Sequence, residues 1–357
     1  MNIQLPLYER YMKVFNWKEN PFNFKILPEL FVGYNKEVNK LINYLNNGSK
    51  FSLLIGPTGS GKTTLLKWIL KNSKDLKYIY YLPKPPKDPN DWVNIFKNFI
   101  KPSLISRLIS RENMNLYNLS EIVNKKLKNK KLILLVDECH EATLESLEWL
   151  RTLTDQIENL YLVLAGLPTF ETILKENLET FIKRINLKIE LTNLTKSETR
   201  ELIKKRIEWV GGDDIKPFTH DIIDFIYETT GGFPREILRV CNDLVQKASE
   251  KNITIIDQEF VKEIETPPSR VSLKIINSLP QKQKVILEIL SKNDGLTPSE
   301  IVSELNLNNY KDKENAVRSV NNILKRLMKD KLIIRRKRGK AYEYLISERI
   351  QTLMVNA

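Results

Sequence analysis

Gly56, four further residues and then Gly61-Lys62-Thr63 form a glycine-rich stretch, Gly56-Pro57-Thr58-Gly59-Ser60-Gly61-Lys62-Thr63-Thr64, whose spacing is that of a phosphate-binding loop. Its glycines let the backbone curl so that successive N–H groups point at one anion. A helix starting there adds its positive dipole end. In such a loop the Lys62 ammonium reaches the β- and γ-phosphates of a nucleotide, and the Thr63 hydroxyl ligates Mg²⁺. The flanks suit the role. Leu53, Leu54 and Ile55 read as a buried strand, and Leu65, Leu66, Ile69 and Leu70 share one side of a following helix.

A second apolar run, Leu132 to Val136, ends in two carboxylates, Asp137 and Glu138. At this distance from the glycine loop the pair supplies what hydrolysis of a phosphoanhydride needs. Asp137 holds the Mg²⁺ water shell, while Glu138 orients and deprotonates the attacking water. His140, one of only two histidines, reads as a partly buried strand-end residue.

These residues require a scaffold. Apolar segments at Tyr78–Leu82, Leu132–Val136 and Leu160–Ala165 alternate with helical ones, including Leu144 to Ile157. That alternation predicts an α/β fold, a parallel sheet covered by helices on both faces. From Leu191 the pattern turns helical, with helices predicted over 196–209, 219–229, 233–250 and 257–264 and a capping box at Thr195-Lys-Ser-Glu198. The tandem prolines of Thr266-Pro-Pro-Ser269 read as a linker.

Net charge is +13, and it is uneven, because residues 271–357 hold 17 Lys/Arg against 9 Asp/Glu. A helix over Pro280 to Ser291, another starting at Thr297-Pro-Ser-Glu300, and a third over about Lys313 to Lys329 are followed by strands at Leu332–Arg336 and Tyr342–Ile346. Three helices and a basic hairpin describe a winged helix-turn-helix. Asn315, Arg318, Asn322, Lys325 and Lys329 fall opposite the apolar stripe of the third helix. Arg and Asn there can pair with base edges in the major groove of double-stranded DNA, and Arg335, Arg336, Lys337, Arg338 and Lys340 can reach its phosphates.

Composition is that of an ordinary water-soluble protein, 41% hydrophobic and 28% charged. No apolar run approaches a membrane span, no secretory leader is visible, and Cys139 and Cys241 give no disulfide framework. A cytoplasmic location and no membrane partner are therefore expected.

Several motifs resemble AAA+ ATPases, a P-loop core followed by a helical lid. Phe181-Ile-Lys-Arg184 before a strand is similar to the arginine-finger position, and Gly231-Gly-Phe-Pro-Arg235 at a helix start is similar to the sensor-two motif. The resemblance implies that Arg184 and Arg235, with Glu138, act at the γ-phosphate, Arg184 on a nucleotide held by a neighbouring subunit. Asn16-Trp-Lys-Glu-Asn-Pro-Phe22, Phe31-Val-Gly33 and Leu191 to Gly211 with Arg206 are similar to ExeA- and TniB-like ATPases of secretion and transposition. The plan of core, lid and winged helix resembles archaeal and eukaryotic origin-recognition and Cdc-type replication initiators. One departure stands out. Initiators place a polar residue after the fourth strand, whereas here Ala165-Gly-Leu-Pro168 follows, with Thr169 the nearest polar side chain.

The expected division is a nucleotide-binding core over 1–191, a lid over 192–266 and a winged-helix domain over 267–357. The expected activity is Mg²⁺-dependent ATP hydrolysis coupled to DNA binding, with ATP and ADP as ligands and a homo-oligomer or a replication or recombination protein as partner. The alternatives are a transposition ATPase that selects target DNA and a nucleotide-gated scaffold with little turnover.

Overall fold

In the computed structural model every position of β1 (Phe51–Ile55), β3 (Leu132–Val136) and β4 (Leu160–Gly166) is buried. Side chains alternate between the faces of a sheet, so burial at every position means both faces are covered. Strand β2 (Tyr78–Leu82) is half-buried throughout, and β5 (Leu187–Glu190) alternates buried and exposed, as edge strands do. All pairings are parallel, in the order β2-β3-β4-β1-β5. This is the α/β architecture expected from the sequence, closed at one edge by the short strand after Arg184. The structure describes residues 7–73, 78–99, 114–128, 130–264, 279–293, 295–305, 313–338, 341–347 and 350.

By their contacts the residues form two units, Lys25–Leu191, and Met1–Phe24 together with Thr192–Ala357. In the first, helices α2 (Asn35–Asn46), α3 (Lys62–Asn72), α4 (Asp91–Phe99), α5 (Leu119–Leu127), α6 (Leu144–Gln156), α7 (Pro168–Asn177) and α8 (Glu179–Ile182) accompany the sheet. Its core joins Leu53, Leu134, Leu162 and Leu164 of the strands to Phe96, Leu150, Phe170 and Phe181.

The second unit contains α1 (Leu7–Phe15) and four lid helices, α9 (Lys196–Trp209), α10 (His220–Thr230), α11 (Pro234–Glu250) and α12 (Gln258–Glu263). The capping box of α9 is formed, with Thr195 and Glu198 each bonded to the other's backbone N–H. The division expected from the sequence puts the N-terminal segment with the sheet, whereas the packing partners of Trp17 to Asn23 lie in the lid. Phe22 is fully buried, edge-on to both Trp17 and Phe218. Arg206 donates from Nη1 to the carbonyls of Pro21 (3.0 Å) and Asn23 (2.9 Å), and Asn20 donates to Asn242 Oδ1 at 2.7 Å. Gly212 is required here, since a Cβ would stand 2.5 Å from Trp17 Nε1 and 2.4 Å from Ile207. The motif at 16–22 is thus a clamp on the lid.

The basic end has its own core. Helices α13 (Gln281–Ser291), α14 (Pro298–Glu304) and α15 (Lys313–Lys329) bury Ile286, Leu290, Ile301, Val320 and Leu324 with Ile333 and Ile346 of the hairpin β6 (Ile333–Arg338) and β7 (Ala341–Ile346). The second predicted capping box is present at Thr297 and Glu300. A backbone pairing of Leu296 with Tyr344 adds a third segment to the hairpin. The proline linker at 266–269 lies outside the described residues.

Substituting Phe22→Ala should destabilise the lid by about 3–5 kcal/mol. The expected observation is a lower urea midpoint by far-ultraviolet circular dichroism; an unchanged midpoint would contradict the clamp.

Candidate functional site

The glycine loop leaves the C-terminal end of β1, and two of its glycines hold backbone angles closed to other residues, Gly59 at φ 93° and Gly61 at φ 101°. Gly61 is the residue before α3, so the loop delivers its N–H groups to a helix N-terminus. At Gly56 a side chain is excluded by packing, because a Cβ would lie 2.5 Å from Ser60 Oγ and 2.8 Å from the Leu191 carbonyl. Tyr34 O–H steadies the loop from outside, donating to the Ser60 carbonyl at 3.4 Å.

Lys62 is 5% exposed, and its Nζ donates to the carbonyls of Gly56 (2.7 Å) and Pro57 (3.0 Å). Burial pushes its pKa down, opposed by the charges of Glu138 and Asp137. An ammonium so placed is held by two neutral acceptors, and a phosphate would supply the countercharge they lack.

Asp137 is 1% exposed at the end of β3. Its Oδ2 accepts from Thr63 Oγ1 at 2.6 Å and from Tyr81 O–H at 3.1 Å, and its Oδ1 from the backbone N–H of Glu138 at 2.9 Å. A hydroxyl and a buried carboxylate beside a loop of N–H donors are the hard oxygen set that suits Mg²⁺ next to phosphate. Glu138 follows with a left-handed backbone, φ 52°, which turns its half-exposed side chain out of the strand line. His140 Nε2 stands 3.4 Å from Glu138 Oε2, while His140 Nδ1 is buried without a hydrogen-bond partner.

Sequence reasoning did not single out Tyr81 or Tyr34. An aromatic run at 78–81 reads as strand packing, and only the pairing of β2 with β3, which sets Tyr81 beside Leu135, brings the phenol to Asp137. Burial and the Asp137 carboxylate hold the Tyr81 phenol well above its ordinary value.

Arg184 is half-exposed and bonded to Asp155 Oδ1 at 2.6 Å, an acid shared with Arg151. Arg235 lies in the other unit, exposed on the first turn of α11 with its guanidinium 5.7 Å over the Phe24 ring. Gly232, just before that helix, has φ 78°, and a Cβ there would overlap the Leu194 carbonyl at 2.0 Å. Thr169 is exposed on the first turn of α7.

In the winged helix Asn315, Arg318, Asn322 and Lys325 are all exposed on α15. The hairpin cations divide. Arg336 bonds Glu343 Oε1 at 2.5 Å, and Arg338 lies 3.5 Å from Glu300 and 3.7 Å from Glu343. Arg335 lies 4.7 Å over the Tyr342 ring. Lys340 is outside the described residues. No helix of the described residues is long and apolar enough to cross a membrane.

The fold and loop define an AAA+ P-loop module, and residues 45–174 match the model of the AAA domain. The chain is 28% identical over 187 residues, half of its length and 46% of the relative's, to an uncharacterized HTH-type transcriptional regulator of Methanocaldococcus jannaschii. It is likewise 28% identical over 258 residues, 65% of its length and 44% of the relative's, to general secretion pathway protein A of Aeromonas hydrophila. The chain therefore spans less than half the length of these curated relatives. Among solved structures it is similar to the ORC2 protein of Aeropyrum pernix in ADPNP–ADP complexes, with a TM-score of 0.55 at 15% identity over 96% of this chain and 98% of that one. That likeness is one of fold.

Tyr81→Phe removes one of the three donors to Asp137 and should cost about 1.5–3 kcal/mol at neutral pH. Because folding raises the phenol's pKa above 10, its contribution is complete below pH 10 and drains as pH rises beyond that. Urea denaturation at neutral and strongly alkaline pH should show a smaller alkaline loss in Tyr81→Phe than in the unsubstituted protein; equal losses would refute the coupling.

Proposed function

We propose that this chain is an ATP-dependent DNA-binding ATPase of the replication-initiator type, in which nucleotide state governs DNA binding and assembly. The observation that carries the nucleotide half is the 2.6 Å bond between Thr63 and the buried Asp137, beside an ammonium hydrogen-bonded to two neutral carbonyls. The DNA half is supported by the winged helix with its exposed polar helix face and by the partial likeness to an HTH-type regulator.

In this reading the backbone of Gly56 to Thr64 wraps the phosphates and Lys62 binds the β- and γ-oxygens. Thr63 and Asp137 would hold Mg²⁺, which would supply charge neutralisation on those oxygens. Glu138 orients a water and accepts its proton on a carboxylate oxygen. Arg235 senses the γ-phosphate. Arg184 acts on a neighbouring copy after leaving Asp155, an exchange that costs little because exposed ion pairs contribute only about 0–1 kcal/mol. The three modules are the core over 25–191, the lid over 192–266 with the N-terminal segment clamped to it, and the winged helix beyond.

Lys62→Ala should abolish ATP binding, whereas Glu138→Gln should bind ATP with near-normal affinity and lose hydrolysis. Calorimetry and phosphate release read the two effects, and full turnover by Glu138→Gln would overturn the mechanism. Footprinting on duplex DNA should give a discrete protected region that changes with ATP; nucleotide-indifferent, diffuse coverage would favour the transposition reading.

A further inference from the structure

The hairpin β6–β7 carries its cations on two faces, and the two faces are built differently. Antiparallel register pairs Arg335 with Tyr344, Arg336 with Glu343 and Lys337 with Tyr342. Alternation therefore puts Arg336, Arg338 and Glu343 on one face and Arg335, Lys337, Tyr342 and Tyr344 on the other.

The first face is an internal charge cluster. The Glu343 side chain is only 6% exposed, and Arg336 and Arg338 both converge on it. Arg338 continues to Glu300 in the first turn of α14, which is itself the acid of the Thr297 capping box. The close approach of Gly295, whose Cβ would stand 3.1 Å from the Glu343 carboxyl carbon, completes the enclosure. A carboxylate this buried needs its cations, and removing them would leave an uncompensated charge.

The second face has no such anchor. Among the described residues no acidic side chain pairs with Arg335 or Lys337, and the Arg335 guanidinium carbon lies 4.7 Å over the half-exposed Tyr342 ring. A guanidinium over an aromatic face can still turn N–H donors outward, which suits a phosphate oxygen.

Resting on the reading of this domain as a DNA binder, we infer that Arg335 and Lys337 form the surface that grips the phosphate backbone of duplex DNA. Arg336 and Arg338 are positioning residues that hold the hairpin to α14 by neutralising Glu343. The more conspicuous half of the basic cluster is thus structural, and the charge complementary to DNA lies on the Tyr342 side.

Two double variants of the full chain, Arg335→Gln with Lys337→Gln and Arg336→Gln with Arg338→Gln, remove the same net charge and differ only in face. Fluorescence anisotropy with a labelled duplex across a salt series reads the number of phosphate contacts, since each contributes about 0.9 to the slope of log affinity against log salt. The first pair should lower that slope by about 2 with an unchanged thermal midpoint. The second should lower the thermal midpoint, and adding Glu343→Gln should restore it while the slope stays at the unsubstituted value. Should Arg336→Gln with Arg338→Gln, or its Glu343→Gln triple, lose as much slope as the first pair, the assignment is overturned. It is equally overturned if Arg335→Gln with Lys337→Gln leaves the slope intact. Absence of duplex binding by the unsubstituted chain would instead remove the DNA reading itself.

Discussion

The carboxylate of Asp137 is the point on which the candidate site depends. It is almost wholly buried, so each of its oxygens must find donors or impose a desolvation cost on the fold. It finds three, and they come from three places in the chain. Thr63 belongs to the first turn after the glycine loop, Tyr81 to the neighbouring strand, and the N–H of Glu138 to the residue that follows. One buried charge therefore ties the ends of β2 and β3 to the start of α3. The same bonds place the Glu138 side chain, since the left-handed backbone at that residue is fixed while its N–H is committed to Asp137.

A second buried charge organises the other unit. Arg206 is 6% exposed, and burial lowers its pKa to about 10. Its Nη1 donates to the backbone carbonyls of Pro21 and Asn23, so the N-terminal segment is secured by main-chain acceptors supplied at a turn. Charge-assisted bonds of this kind are stronger than neutral ones, and they set where the chain must run. Trp17, Phe22 and Phe218 then fill the apolar space around them. Glu343 in the hairpin repeats the arrangement with the sign reversed, a buried acid drawing two exposed cations onto one face.

Much of this was legible in one dimension. Lys196–Trp209 has the bounds read from its capping box and periodicity, and Lys313–Lys329 those read from its apolar stripe, because both are local features. The central strands were equally plain, since burial on both faces demands unbroken apolar runs. The fifth strand was harder. Leu187–Glu190 is short and alternating, and its membership follows from pairing with β1 across the sheet.

What the sequence determined by itself was the chemistry available: a glycine loop that can wrap phosphate, two acids at a strand end, two capping boxes and an excess of positive charge near the C-terminus. Each is set by neighbours within a few residues. Tertiary structure alone decided the pairings between distant residues. It brought Tyr81 to Asp137, closed residues 16–23 over Arg206, bonded Arg184 to Asp155, and sorted one run of arginines into a face that holds Glu343 and a face that does not. Those outcomes depend on sheet order, hairpin register and burial, which arise only when segments far apart in the chain compete for the same water-free space.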